Sequence, residues 1–294
     1  MRTALNSHPS IIDYVSVLKP KETSLLVFIG ACAALFAASL SDTGFPASDF
    51  ALTIIAITVG SAGANGLTNY LDRDVDARMK RTCTRVLASK KIDPPQKALP
   101  LIIVFVAGGL ALAWLLSPVC FAIGLAGILA SGIWRKTISC TYLGIIAGSA
   151  PVLIGWYAIT KQPVVDILPG LFFCLIAAWT PIHVWTLMMA NRTDYEGAGL
   201  HYFPLSWEDK DVIKILAVLS LVLSVVAFMI YFLSGRLHWL YLCASSILSL
   251  VMIYANVRLL FAPSSKNAWS VYRLSAFPYL GIIFMVMVID SWFL

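Results

Sequence analysis

The stretch TNYLDRDVDARMKRT, residues 68–82, sets three carboxylates and four cations within Asp72–Thr82, directly after an apolar run. On a helix advancing about 100° per residue, Asn65, Asn69, Asp72 and Asp76 fall within roughly 60° of one another, with Thr68 on the shoulder of the stripe. Asp74 falls on the opposite side and reads as a surface residue. Two carboxylates one turn apart, with amide oxygens beside them, make a hard-oxygen site. Mg²⁺ suits such a site, because it takes one or two carboxylates, keeps water, and completes its shell with substrate phosphate oxygens. The cations Arg78, Lys80, Arg81 and Arg85 match the remaining phosphate charge, arginine through its bidentate fork and lysine as a point charge. Metal-assisted handling of a diphosphate is the chemistry expected. The plainer alternative is a solvated helix end with acids and bases paired at i,i+4. Asparagines inside an apolar span, costly without a role, weigh against it.

The elements that position these residues must be membrane helices. Only 36 of 294 residues are charged and 60% are apolar, with a mean hydropathy of +0.85; an ordinary soluble domain is about 25% charged. The composition excludes such a domain and predicts an all-α polytopic protein, a single domain over 1–294. Segments apolar enough to span fall at about 24–41, 50–71, 98–116, 118–134, 140–160, 167–190, 212–233, 237–256 and 274–293, nine in all. The N-terminal arm, 1–22, is polar and then amphipathic, with no cleavable signal. Six scattered cysteines without a CxxC or Cys/His cluster indicate neither a disulfide framework nor zinc.

Orientation follows from lysine and arginine in the connections. With the N-terminus in the cytoplasm, nineteen of the 21 fall on the cytoplasmic side, Arg2, Arg135 and Lys136 among them, against Lys161 and Arg236 opposite. Two connections, 72–97 and 191–211, are both long and polar, and both lie on the cytoplasmic side. They can therefore face one another across one cavity. A multi-pass protein of the cytoplasmic membrane, its active site facing the cytoplasm, is expected. Membrane lipids rather than nucleic acid are its surroundings.

ANGLTNYLDRDVDARMKRT resembles the first aspartate-rich motif of the UbiA-type intramembrane prenyltransferases, NxxxDxxxD followed by a KRT-like run. Two further stretches, IIAGSAPVLIGWYAIT (145–160) and HVWTLMMANRTDYEGAGLHYFP (183–204), resemble the branch of that family that farnesylates protohaem. Departures stand at Thr68, where the family has asparagine, at Val86, and at Val152, each in place of a proline. The resemblance implies a nine-helix bundle that binds an isoprenoid diphosphate through Mg²⁺. It implies farnesyl diphosphate and haem B as substrates, with haem B not a prosthetic group, and a haem A synthase or terminal-oxidase assembly as a partner.

Across the cavity, loop 191–211 offers Asn191, Arg192, Asp194, Tyr195, Glu196 and His201. The resemblance makes Asp194 a catalytic and metal-binding position; Arg192, by its charge and place in the loop, could grip diphosphate. His183, eleven residues before Asp194, becomes a functional position, an iron ligand or proton carrier near the acceptor. A hydrogen-bonded core histidine is the plainer alternative, and His8 and His238 read as structural or solvent-facing. Trp156, Trp185, Tyr195 and Asn65 are candidates for a prenyl or porphyrin groove, and packing is the commoner use of tryptophan. Other acceptors (a quinone precursor, a chlorophyll-type ring, a glycerophospholipid) and, more remotely, transport along the intramembrane acids remain open on the residues alone.

Overall fold

The computed structural model describes residues 9–41, 45–133, 139–161 and 166–294, and of 139–140 the backbone only. Arg2, His8, Arg135 and Lys136 lie outside the described residues. All regular structure among the described residues is helical: α1 (Ile11–Val17), α2 (Pro20–Ser39), α3 (Ala47–Asp76), α4 (Leu99–Leu116), α5 (Pro118–Gly132), α6 (Ser139–Thr160), α7 (Ile167–Ala190), α8 (Arg192–Gly197), α9 (Asp209–Ser234), α10 (Trp239–Phe261), α11 (Ser265–Leu274) and α12 (Leu280–Phe293). A π-helical segment, Ser275–Tyr279, joins the last two across a non-helical Ala276.

Among the described residues, eight helical stretches are long and apolar enough to cross a membrane, and they coincide with eight of the nine expected segments. The ninth segment is α5, apolar but only 15 residues. At about 22 Å it is shorter than a hydrocarbon core of about 30 Å. The break before it has a local cause. Ser117 is extended, at φ −170° and ψ 156°, and its side chain accepts from Cys120 N, capping α5 just ahead of Pro118.

Helices apolar on every side have no amphipathic stripe to direct their packing, so small residues direct it. A Cβ added at Gly109 would stand 2.4 Å from Gly60 Cα, and one at Gly155 would stand 2.2 Å from Gly30 O. The backbones of α3 and α4, and of α2 and α6, therefore touch. At 30 residues α3 is about 45 Å long, which carries its last turns, with Asp72 and Asp76, to or past the membrane boundary.

The two polar connections meet at one end of the bundle. Met79 (0% exposed) is buried in the main core. Val86, Leu87 and Ile92 pack with Val17, Ala98 and Ile102, so apolar pegs hold the 77–92 segment although its backbone is irregular. Tyr195, Leu200, Phe203 and Leu205 peg the opposite loop in the same way.

Candidate active site

The end of α3 sorts its acids by face. Asp72 and Asp76 are 2% and 0% exposed, whereas the Asp74 side chain is 81% exposed and pairs with Arg73. Asn69 Nδ2 donates to Val17 O at 3.1 Å, which turns its Oδ1 into a buried acceptor without a hydrogen-bond partner among the described residues. The Oδ1 atoms of Asp72 and Asp76 are buried as well. A buried amide oxygen left open beside two buried carboxylates is costly in an unliganded protein. It is the donor set a small hard cation takes. Among the described residues no three His, Cys, Asp or Glu converge, so such an ion would draw the rest of its shell from water and substrate.

The cations divide differently from the expectation. Arg85 Nη1 lies 2.6 Å from Asp76 Oδ2, and Thr82 Oγ1 donates to Asp76 O, folding the basic run back over the acid face. Arg192 is occupied elsewhere: its guanidinium contacts Glu196, Asp209 and the Leu205 carbonyl. Two carboxylates and a carbonyl engage it, tying the 191–211 loop to the start of α9. Arg78, Lys80 and Arg81 are exposed at the rim.

Asp194 joins the two loops. One oxygen accepts from Lys80 N at 2.6 Å and the other from Arg81 N at 3.2 Å, a charge-assisted pair that fastens the two loops together. Its observed contacts are to backbone N–H groups rather than to the acids of α3. The Tyr195 hydroxyl lies 3.5 Å from Arg81 Nη2 in the same junction. Tyr195 thus takes part in the loop clamp.

A cavity of about 280 Å³ opens beneath the acid face, walled by α2 to α6. Its polar end carries Lys19, Asn65 and Thr68, and the rest of the described lining is apolar apart from Ser61 and Ser131. Lys19 Nζ donates to Thr68 Oγ1 at 3.1 Å, and Asn65 Nδ2 donates to Thr23 Oγ1 at 3.0 Å. Thr68 lies one turn, about 6 Å along the axis, from Asp72. An anion-handling end continuous with an apolar chamber suits a ligand with a charged head and a greasy tail.

The model of the UbiA prenyltransferase family matches residues 26–282. The chain belongs to this family. A curated relative from Thermoplasma acidophilum, named protoheme IX farnesyltransferase, is 34% identical over 94% of this chain and 96% of its own length. One of the same name from Desulforudis audaxviator is 30% identical over 95% and 88%. Among solved structures, one of a digeranylgeranylglyceryl phosphate synthase superposes with a TM-score of 0.78 at 15% identity, over 96% of this chain and 98% of that one. A UbiA homolog from Archaeoglobus fulgidus bound to GPP and Mg²⁺ gives 0.60 at 16%, over 94% and 99%. At these identities the superpositions establish the UbiA fold.

Within this UbiA bundle the expected groove residues separate. Asn65 lines the cavity. Trp156, 2% exposed, packs against Phe36 and Phe172 at centroid distances of 6.2 and 5.6 Å. Two residues beyond Ile154, it points to the other side of α6. Trp185 donates from Nε1 to Thr141 Oγ1 at 3.0 Å and meets Phe203 edge-on; a buried indole N–H needs such a partner. Neither tryptophan lines the cavity, and packing accounts for both.

His183 lies between Trp179 and Tyr272, ring centroids 4.7 and 4.6 Å away, with Nδ1 3.1 Å from Ser275 Oγ. The Ser275 hydroxyl donates to Tyr272 O, so it accepts from the ring. That assigns the proton to Nδ1 and leaves a lone pair on Nε2. His238, at the start of α10 and the other end of the bundle, contacts Asp290 of α12. Lys19 is the site residue that sequence reasoning missed. It entered only as a charge for orientation, yet it sits at the cavity head with φ 48°, an uncommon backbone for a non-glycine residue and one that clusters at ligand sites.

Proposed function

We propose that this UbiA-family chain transfers the farnesyl group of farnesyl diphosphate to a vinyl group of protohaem IX, with addition of water, releasing diphosphate. The names of the curated relatives support the donor and the acceptor. The observation that carries the chemistry is the pair of buried carboxylates standing one turn from the head of an apolar cavity.

In this reading Asp72 and Asp76, with Asn69 Oδ1 and Thr68 beside them, hold Mg²⁺, which supplies Lewis-acid stabilisation of the departing diphosphate. Arg78, Lys80 and Arg81 hold the remaining phosphate charge from the rim, and Lys19 holds it from below. Arg85 keeps Asp76 oriented through their 2.6 Å contact. The apolar chamber receives the prenyl chain and excludes water while the C1–O bond breaks. The resulting allylic carbon bonds to the vinyl terminus. The adjacent carbon, now cationic, takes hydroxide from water and a proton leaves. His183, seven residues or about 10 Å below the end of α7, offers its Nε2 lone pair to the acceptor. Delivery of the product to a haem A synthase or oxidase assembly belongs to the same reading.

The direct test is incubation of purified protein with haem B, farnesyl diphosphate and Mg²⁺, followed by mass spectrometry. A farnesylated, hydrated haem supports the proposal. Product only with an aromatic or glycerol acceptor would transfer the site to another branch of the family. Arg81→Ala is expected to raise the apparent KM for diphosphate about tenfold, one charge-assisted contact being worth roughly 1.5–3 kcal/mol before exposure is discounted. Unchanged diphosphate kinetics would remove Arg81 from the site.

A further inference from the structure

The chamber beneath the acid face has a definite depth. On α3 it is lined by Ala56, Gly60, Ala64 and Thr68, so from Thr68 to Ala56 the helix rises about 18 Å. Neighbouring contacts fix which end is which. Lys19 bonds Thr68 at the head, while a Cβ on Gly124 would face Ile154 and Ala113 at the other end. Ala56, Ile57, Ala113 and Ile154 form the floor, and they belong to a buried apolar cluster that continues into Leu116, Cys120 and Ala158. Among the described residues, nothing charged lines the chamber except Lys19.

Subtracting one van der Waals contact of about 4 Å for the floor side chains leaves about 14 Å of usable depth. A farnesyl group has twelve carbons along its main chain. With bonds of about 1.5 Å at tetrahedral angles it extends about 14 Å, a geranyl group about 9 Å and a geranylgeranyl group about 19 Å. The diphosphate, one turn beyond Thr68, would place C1 at the chamber mouth. A fifteen-carbon chain then reaches the floor, and a twenty-carbon chain overruns it.

We infer that this chamber measures the donor's prenyl chain, with Ile57 and Ile154 at its floor setting fifteen carbons as the upper length. The inference rests on the prenyl diphosphate donor proposed above but not on the acceptor. Ile57 and Ile154 come from different helices and are buried at 2% and 8% exposure, so neither swings aside for a longer chain without disturbing the cluster below. Replacing both with alanine removes six carbons, one more than an isoprene unit.

The test is competitive binding of geranyl, farnesyl and geranylgeranyl diphosphates to the purified full-length protein in nanodiscs, with Mg²⁺ and without haem. Wild type is expected to prefer farnesyl. The Ile57→Ala/Ile154→Ala variant is expected to shift the geranylgeranyl-to-farnesyl ratio at least tenfold toward the longer chain. Ala56→Leu, which adds three carbons to the floor, is expected to shift it toward geranyl. Thermal melting identifies any variant that fails to fold, and the opposite direction of the two variants separates a ruler from general loosening. Equal affinity of wild type for all three chains, or an unchanged ratio in folded variants, would overturn the inference. Failure to bind any prenyl diphosphate would overturn the donor reading and this inference with it. A chain-length shift without haem turnover would leave the ruler standing and defeat the acceptor alone.

Discussion

Asp72→Asn is expected to lower prenyl transfer by about 10²–10³-fold, the usual cost of removing one group that stabilises charge developing in the transition state. Asp76→Asn should fall in the same range, and Asp74→Asn should stay within about twofold of wild type, as surface substitutions do. The contrast comes from burial. Asp72 and Asp76 are sealed at the end of α3, and the Asp74 side chain is 81% exposed. The two active-site variants are not equivalent as controls. Asp76 also carries the 2.6 Å contact to Arg85, so its replacement leaves a guanidinium facing a neutral amide and should lower Tm. Asp72→Asn is read alongside it, with the Tm of each variant measured first. Steady-state rates at saturating diphosphate, compared at equal folded fraction, decide the matter. Similar losses at all three positions would defeat the assignment by face.

Asp194→Ala is expected to reduce kcat/KM about 10²-fold through a different route. The carboxylate holds the backbone N–H groups of Lys80 and Arg81, so its removal frees the segment that carries the rim cations. Misplacing binding groups by about 1 Å is enough for such a loss, and loosening a loop of this kind changes kcat and KM together. The resemblance to the family implies a metal-binding Asp194, and Mg²⁺ titration separates the two roles. A clamp predicts that Asp194→Asn, which keeps one acceptor oxygen, retains intermediate activity with an unchanged half-saturating Mg²⁺ concentration. A direct ligand predicts a markedly higher Mg²⁺ requirement.

The parts legible in the sequence were those that local periodicity encodes. A helical face follows from spacing alone, so Asn65, Asn69, Asp72 and Asp76 could be grouped and Asp74 set apart before any coordinates. Span positions followed from length and apolarity, and α5 diverges because composition marks an apolar run without fixing where its helix stops. Partners are a different matter. Arg85 and Arg192 have the same charge, yet one lies on Asp76 and the other contacts Glu196, Asp209 and a carbonyl. Lys80 and Asp194 are 114 residues apart, and nothing local encodes their contact. Trp156 and Trp185 sit on helices apolar all round, where residue type does not say which side faces a cavity and which faces a neighbour. Lys19 reaches the site because the N-terminal arm docks there, with Val17 O accepting from Asn69.

The short helix α5 has a consequence for the lipid as well as for the number of spans. An element of about 22 Å beside neighbours that span about 30 Å or more produces hydrophobic mismatch on one flank, which a bilayer meets by thinning locally, at fractions of a kcal/mol per Å. That flank is the outer wall of the chamber, where Gly124, Gly127 and Ser131 are set. Host-membrane thickness thereby becomes a variable of the chamber's geometry. Activity in nanodiscs of graded acyl length should peak in thinner bilayers, and a flat profile would show that the flank adapts without cost.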